Sequence, residues 1–381
     1  MNINNKYLLI TILIFTILLP KLNYALTRRT SKNQRSLLRC KKRCSNKNVY
    51  RKLKWFCKKC LSLDGLDKNK TSDNNKIHEN NENFKNNNIS YNNILFQSKN
   101  FSLILLSNSR KFDYNRIENL IVFGDSHSAV GTNYTDMTYT GRNHSGGKNW
   151  PLYLKDFNNM KLWNYATPRA PIYEKLFNDS RDLKTQCDYF YENMTKGKKF
   201  CNTWNENNSL FAFWFGTIDI GFRNHNYKTI EELSENFFNL IKRMYDYGLR
   251  NILILSAPPL YIIPSHRNFS KCRGISDENC IKFLKNEVLT FNDEIIAKSN
   301  IFFNKHTDIN LIYYSTVDIF ENIISNCNEY KFKDCINTWG RNKKKNVNDY
   351  FWANSHISDL ANKILAENIN NLLSSLNKST S

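Results

Sequence analysis

From about residue 96 to the C-terminus, short apolar runs alternate with amphipathic stretches, and this alternation restricts the fold more than any other feature of the chain. Residues 120–123, 161–166, 210–215, 251–256 and 311–317 are brief and rich in Ile, Leu, Val, Phe and Tyr, the pattern of buried strands. Helical signals stand between them. Thr229 and Glu232 have capping-box spacing, Ile230, Leu233, Phe237, Ile241 and Met244 form one apolar face, and Gly248 supplies a stop. A last helix is expected from about Ser358, with Leu360, Ile364, Leu365, Ile369, Leu372 and Leu376 inward. Such alternation predicts an α/β fold whose mostly parallel sheet is covered on both faces. Ligands of these sheets bind beyond the carboxyl ends of the strands, so Ser126, residues 166–169 and residues 216–219 should share one rim.

Charge separates the two ends of the chain. Of 381 residues, 55 are Lys or Arg and 34 are Asp or Glu, giving +21, yet residues 1–60 hold 16 of the cations and no acid. The rest carries only +5, which argues against nucleic-acid binding by the main body. Collagen, coiled-coil and wholly disordered chains are excluded by a 41% hydrophobic and 14% aromatic composition.

The first 25 residues read as a secretory signal: Lys6, an apolar run over 7–19, then Pro20, with cleavage expected after Ala25. That run is shorter than the roughly 20 residues a bilayer crossing needs, so an uncleaved anchor is the lesser reading. Residues 26–60 form a basic module spaced Cys40-x3-Cys44-x12-Cys57-x2-Cys60, and 61–95 an Asn-rich disordered linker. The main domain is expected over 96–381. The module could bind an anionic polymer through its 14 cations, could be a propeptide removed near Arg28-Arg29, or could be a solvated tail. Its four cysteines read as two disulfides, with a zinc site the alternative.

All ten cysteines follow the signal, an even count that fits an extracellular protein. The remaining six fall in close pairs, and the simplest bridging is Cys187–Cys201, Cys272–Cys280 and Cys327–Cys335. Ten Asn-x-Ser/Thr sites, Asn133, Asn143, Asn193 and Asn268 among them, fit the same compartment. No His/Asp/Glu cluster in the main domain has metal-ligand spacing and there is no glycine-rich phosphate loop, so no cofactor is expected, and the protein is expected to be a monomer.

Ser126 follows the first strand of the domain in Phe123-Gly124-Asp125-Ser126-His127-Ser128. A serine at a strand-to-helix turn stands exposed, with backbone N–H groups near its oxygen. His356 precedes the last helix, and a histidine near neutral pH suits the task of taking a serine proton. Either alone is an ordinary turn or cap residue; together, at opposite ends of one α/β domain, they form a candidate dyad. His127, His225 and His266 read as turn or surface residues.

Further blocks fall in order along the chain. They are Tyr139-Thr140-Gly141-Arg142-Asn143-His144-Ser145-Gly146-Gly147-Lys148-Asn149-Trp150, then Trp214-Phe215-Gly216-Thr217-Ile218-Asp219-Ile220-Gly221, then Ala257-Pro258-Pro259-Leu260, and finally Phe351-Trp352 with His356. With Gly124-Asp125-Ser126 they make residues 96–375 resemble the SGNH (GDSL-type) hydrolases, in particular the secreted carbohydrate esterases of family sixteen and the plant GDSL lipases. The resemblance implies a three-layer sandwich with a flavodoxin-like, parallel, five-stranded sheet. It also implies hydrolysis through an acyl-enzyme: Ser126 attacks, His356 shuttles the proton, and the Ser126 N–H is one oxyanion donor. Three places depart from that family's pattern. Ile218 stands where it has an oxyanion asparagine, Arg169 where it has a glycine with a donating N–H, and Ala353 where it has the triad aspartate. Thr217, Asn354 or a backbone carbonyl are the neighbours able to substitute, while Asp125 and Asp219 are expected to support the two turns.

The expected function is a secreted serine esterase acting on acyl, foremost acetyl, esters of carbohydrate or on small esters. Two alternatives stand beside it: an SGNH-fold binding protein with impaired catalysis, and a lipase-like esterase of longer acyl chains.

Overall fold

The computed structural model describes residues 102–173, 181–222, 228–341 and 345–377. The expected signal, basic module and linker, with their four cysteines, lie outside the described residues, as does His225.

The chain enters on a short strand, β1 (Leu103–Leu105), and then runs into β2 (Asn119–Gly124), whose six residues are all buried. Helix α1 (Trp150–Phe157) and strand β3 (Lys161–Asn164) follow. Next come α2 (Leu183–Met194), β4 (Ser209–Trp214) and the single-turn α3 (Thr217–Gly221). The second half continues with α4 (Ile230–Asp246), β5 (Asn251–Leu255), the long α5 (Asp277–Lys305) and β6 (Asn310–Tyr314). It closes with α6 (Thr316–Ser325), a two-stranded ribbon of β7 (Asp334–Thr338) and β8 (Tyr350–Trp352), and α7 (Asp359–Leu376).

The main sheet is ordered β1-β6-β5-β4-β2-β3. Strands β2 to β6 pair in parallel in the order second, first, third, fourth, fifth, which is the flavodoxin-like arrangement. The sheet has six strands rather than the expected five. The addition is β1, which lies antiparallel on the edge of β6, Leu103 opposite Tyr313. Three residues are too short for a period-two pattern, so only the partner strand reveals β1. The last parallel strand also ends earlier than expected, at Tyr314, because the Ser315 side chain accepts from Asp318 N and starts α6.

Strands β2, β4, β5 and β6 are buried along their whole length, so both faces need cover. On α4 the Thr229 side chain takes the Glu232 N–H while the Glu232 carboxylate takes the Thr229 N–H, and Leu233, Phe237, Ile241 and Met244 face the core. On α7, Ser358 caps the start and Leu365, Ile369 and Leu376 are buried, with Leu360, Ile364 and Leu372 partly covered.

Two of the expected disulfides form, Cys272–Cys280 and Cys327–Cys335. Cys187 and Cys201 are free, against expectation. Cys187 is an inward-facing residue of α2, fully buried among core side chains, and Cys201 lies in the turns beyond that helix with its thiol on Asn202 Oδ1. Closeness in sequence therefore did not make these two a pair.

Candidate active site

The chain reverses its direction of strand placement between β2 and β4, and at such a switch point a crevice opens beyond the strand ends. The turn after β2 is Asp125-Ser126-His127-Ser128, closed by Ser128 N and Ala129 N on the Asp125 carbonyl at 3.1 and 3.0 Å. It is tied down on every side. Gln186 of α2, wholly buried, accepts from Gly124 N at 3.0 Å and donates to Gly124 O at 2.9 Å. Asn164, at the end of β3, donates to Ser128 O, and Asn149 donates to Ala129 O. Trp150 donates its indole N–H to Ser128 Oγ. Backbone carbonyls and amides buried at a sheet end must find partners, and here side chains supply them, fixing the serine between.

His356 reaches this turn from the segment between β8 and α7. Its Nε2 lies 2.7 Å from Ser126 Oγ, and its Nδ1 lies 2.7 Å from Asn354 Oδ1, which also accepts the His356 N–H at 3.0 Å. The Asn354 amide nitrogen in turn donates to the His144 carbonyl at 2.9 Å. The His356 ring is flanked by two other imidazoles: His144 is stacked on it at 4.7 Å and 19°, and His127 is tilted against it at 4.8 Å. His127 sits between that ring and the Trp214 indole.

These surroundings favour the uncharged form of each ionisable group. Burial, with His127 and His144 close by, holds His356 well below the usual imidazole range. Burial lowers His127 to about 3, with His144 adding to the effect. Asp125 is pushed up to about 7 by burial, against the opposing His127 N–H at 2.9 Å and the nearby Thr217 side chain. A neutral imidazole whose Nε2 faces a serine hydroxyl is the arrangement for proton abstraction.

The other expected residues take separate places. Gly216 opens α3 with φ +114°, and a Cβ there would stand 2.5 Å from Ala257 Cβ, so the turn after β4 needs glycine. Ile218 is buried and its apolar side chain offers no donor in place of asparagine, while the buried Thr217 side chain lies against the Asp125 carboxyl. Asp219 is fully buried and accepts from Ile172 N at 2.9 Å, which ties this turn to the loop after β3. Arg169, on that loop, has φ +63°, the left-handed region that glycine favours. None of the described acceptors takes the Ser126 N–H, which leaves it available to a developing oxyanion. His266 bonds Asp277 and the Ile263 carbonyl away from the dyad.

Sequence reasoning singled out Asn354 only as one of several substitutes, and missed His144 and Gln186. The first two act across 210 positions in sequence, and Gln186 and Gly124 are 62 apart. No local pattern carries such a signal.

A serine hydroxyl on a histidine nitrogen at the switch point of a flavodoxin-like sheet is the arrangement that serine-type hydrolases use. The family model of the GDSL-like lipase/acylhydrolases matches residues 120–369, and the chain belongs to that family. It is a carboxylic ester hydrolase. It is 27% identical over 248 residues to an acetylesterase of Thermothelomyces thermophilus, covering 58% of this chain and 79% of that protein. It is 23% identical over 158 residues to a GDSL esterase/lipase of Arabidopsis thaliana, 35% of this chain and 42% of the relative. A carbohydrate acetylesterase of Sinorhizobium meliloti has a solved structure similar over 68% of this chain and 99% of its own, at 13% identity and a TM-score of 0.39.

Proposed function

We propose that this protein is a secreted serine esterase that removes acyl groups, acetyl foremost, from carbohydrate. The observation that carries the reading is the 2.7 Å contact between Ser126 Oγ and His356 Nε2. In this mechanism Ser126 Oγ attacks the ester carbonyl as its proton passes to His356 Nε2. The resulting oxyanion takes the N–H groups of Ser126 and Arg169. His356 then returns the proton to the departing sugar oxygen, leaving an acyl-serine. Water, deprotonated by His356, attacks the acyl carbon, and Ser126 recovers its proton. The acetyl preference is supported by the acetylesterase relative, and carbohydrate by the resemblance of the blocks around Ser126, Trp150 and Trp214 to the family-sixteen esterases. Secretion is supported by the first 25 residues and the two disulfides. The basic module over 26–60 would hold the enzyme near anionic polymer.

The absent asparagine donor at position 218 sets the expected speed. One missing oxyanion donor costs about 10²–10³ in rate, so turnover should be modest but measurable. The test is hydrolysis of p-nitrophenyl acetate and of an acetylated xylo-oligosaccharide by the purified protein beside Ser126→Ala. Turnover lost in the variant is the expected result. Equal, near-background rates in both would leave a binding protein with an esterase fold, and faster cleavage of octanoyl than acetyl esters would favour the lipase-like reading.

A further inference from the structure

We propose that Asn354 completes the catalytic relay as an uncharged third member, and that the backbone carbonyl of His144 is what makes an asparagine work there. The inference rests on the reading of Ser126 and His356 as nucleophile and base, and goes beyond it.

The reasoning follows the donors and acceptors one by one. The His144 carbonyl can only accept, so the Asn354 group 2.9 Å from it is the NH₂. Asn354 Oδ1 therefore faces His356, where it meets Nδ1 at 2.7 Å and the backbone N–H at 3.0 Å. An amide oxygen also only accepts, so Nδ1 carries the proton and Nε2 presents its lone pair to the Ser126 hydroxyl. Three hydrogen bonds away from the serine, one peptide carbonyl thus selects the imidazole tautomer that catalysis needs.

This matters because an asparagine in place of a triad acid is ordinarily damaging. It costs roughly 10⁴ in rate where the imidazole is left in the wrong tautomer. Here the amide nitrogen is already occupied. The carbonyl that occupies it is firmly placed, since Asp359 Oδ1 accepts from Lys148 N and from the Tyr153 hydroxyl, and Asn362 Oδ1 accepts from Trp150 N. These bonds fasten Lys148, Trp150 and Tyr153, a few residues beyond His144, onto α7, the helix that follows His356. The His144 ring stacked on His356 covers the imidazole on one side. Ala353, where the related enzymes carry the acid, spends its own polar groups on the backbone: its N–H goes to His356 O and its carbonyl accepts from Gly340 N. A carboxylate at position 354 would set an acceptor oxygen against the His144 carbonyl, so the apparent repair Asn354→Asp is expected to harm the enzyme.

The experiment has two parts on the full secreted protein. The first is ¹⁵N NMR of the wild-type imidazoles at neutral pH. His356 is expected as the Nδ1–H tautomer, with Nε2 unprotonated, and an Nε2–H tautomer would overturn the relay without any variant. The second is p-nitrophenyl acetate kinetics across pH. Asn354→Ala should lower kcat about 10²–10⁴-fold with KM nearly unchanged. Asn354→Asp should also lose at least about tenfold in kcat, and its pH profile should shift, because a carboxylate beside His356 favours the imidazolium. Wild-type or better activity in Asn354→Asp, or unchanged kcat in Asn354→Ala, would overturn the proposal. His356→Ala and Ser126→Ala run alongside separate the two failures: if these retain activity, the nucleophile and base reading itself is wrong.

Discussion

Asp125 and His127 flank the serine, are both buried, and are displaced in opposite directions, which makes a sharp prediction about stability and pH. His127 titrates near 6.5 when unfolded and at about 3 in the fold. Between those values the unfolded chain binds a proton that the native protein does not. His127 thus contributes stability that is present above 6.5 and lost as pH falls, at about 1.4 kcal/mol per pH unit. Asp125 moves from 3.8 to about 7, so in that interval the native protein holds the extra proton. Its contribution is present below 3.8 and is lost as pH rises, with the same slope and opposite sign. From 3.8 to 6.5 the two cancel. Removing either should expose the other. Relative to wild type, the unfolding free energy of Asp125→Asn should rise with pH across that window by about 3 kcal/mol, and that of His127→Phe should fall by about as much. Asparagine retains an oxygen for the His127 N–H, and phenylalanine retains a ring between Trp214 and His356. Urea unfolding at pH 4, 5 and 6, followed by tryptophan fluorescence, measures both, and subtraction of the wild-type curve removes every other titrating group. Single-variant curves that run parallel to wild type would refute the assignment of opposed protons to these two residues.

Two further outcomes follow from the framework of the site. Gln186→Leu leaves the Gly124 N–H buried without its acceptor, which costs about 1–3 kcal/mol; thermal unfolding should move down by several degrees, and kcat should fall because Ser126 lies two residues on. Gly216→Ala combines a positive φ with a 2.5 Å approach to Ala257, so it should destabilise by about 2 kcal/mol or more, and adding Ala257→Gly should recover only the steric part.

Much of this architecture was legible in the sequence because it depends on local pattern. The five parallel strands, the Thr229–Glu232 capping box and the Ser358 cap arise from residues within a few positions of one another, where periodicity and side-chain capping act directly. The Gly-Asp-Ser turn, the distant His356 and the family they define were readable for the same reason. Other features depended on contacts between remote segments. The antiparallel edge strand β1 exists only because β6 offers it a free edge, and Cys187 stays unbonded because its helix turns it into the core. Whether the loss of an acid at Ala353 disables the site was likewise beyond the sequence. That depends on the direction of a single amide, and a carbonyl 210 residues away sets it. Hydrophobic periodicity specifies which elements form and which face they bury, whereas hydrogen-bond direction at a site is decided only when the folded chain brings donor and acceptor within reach.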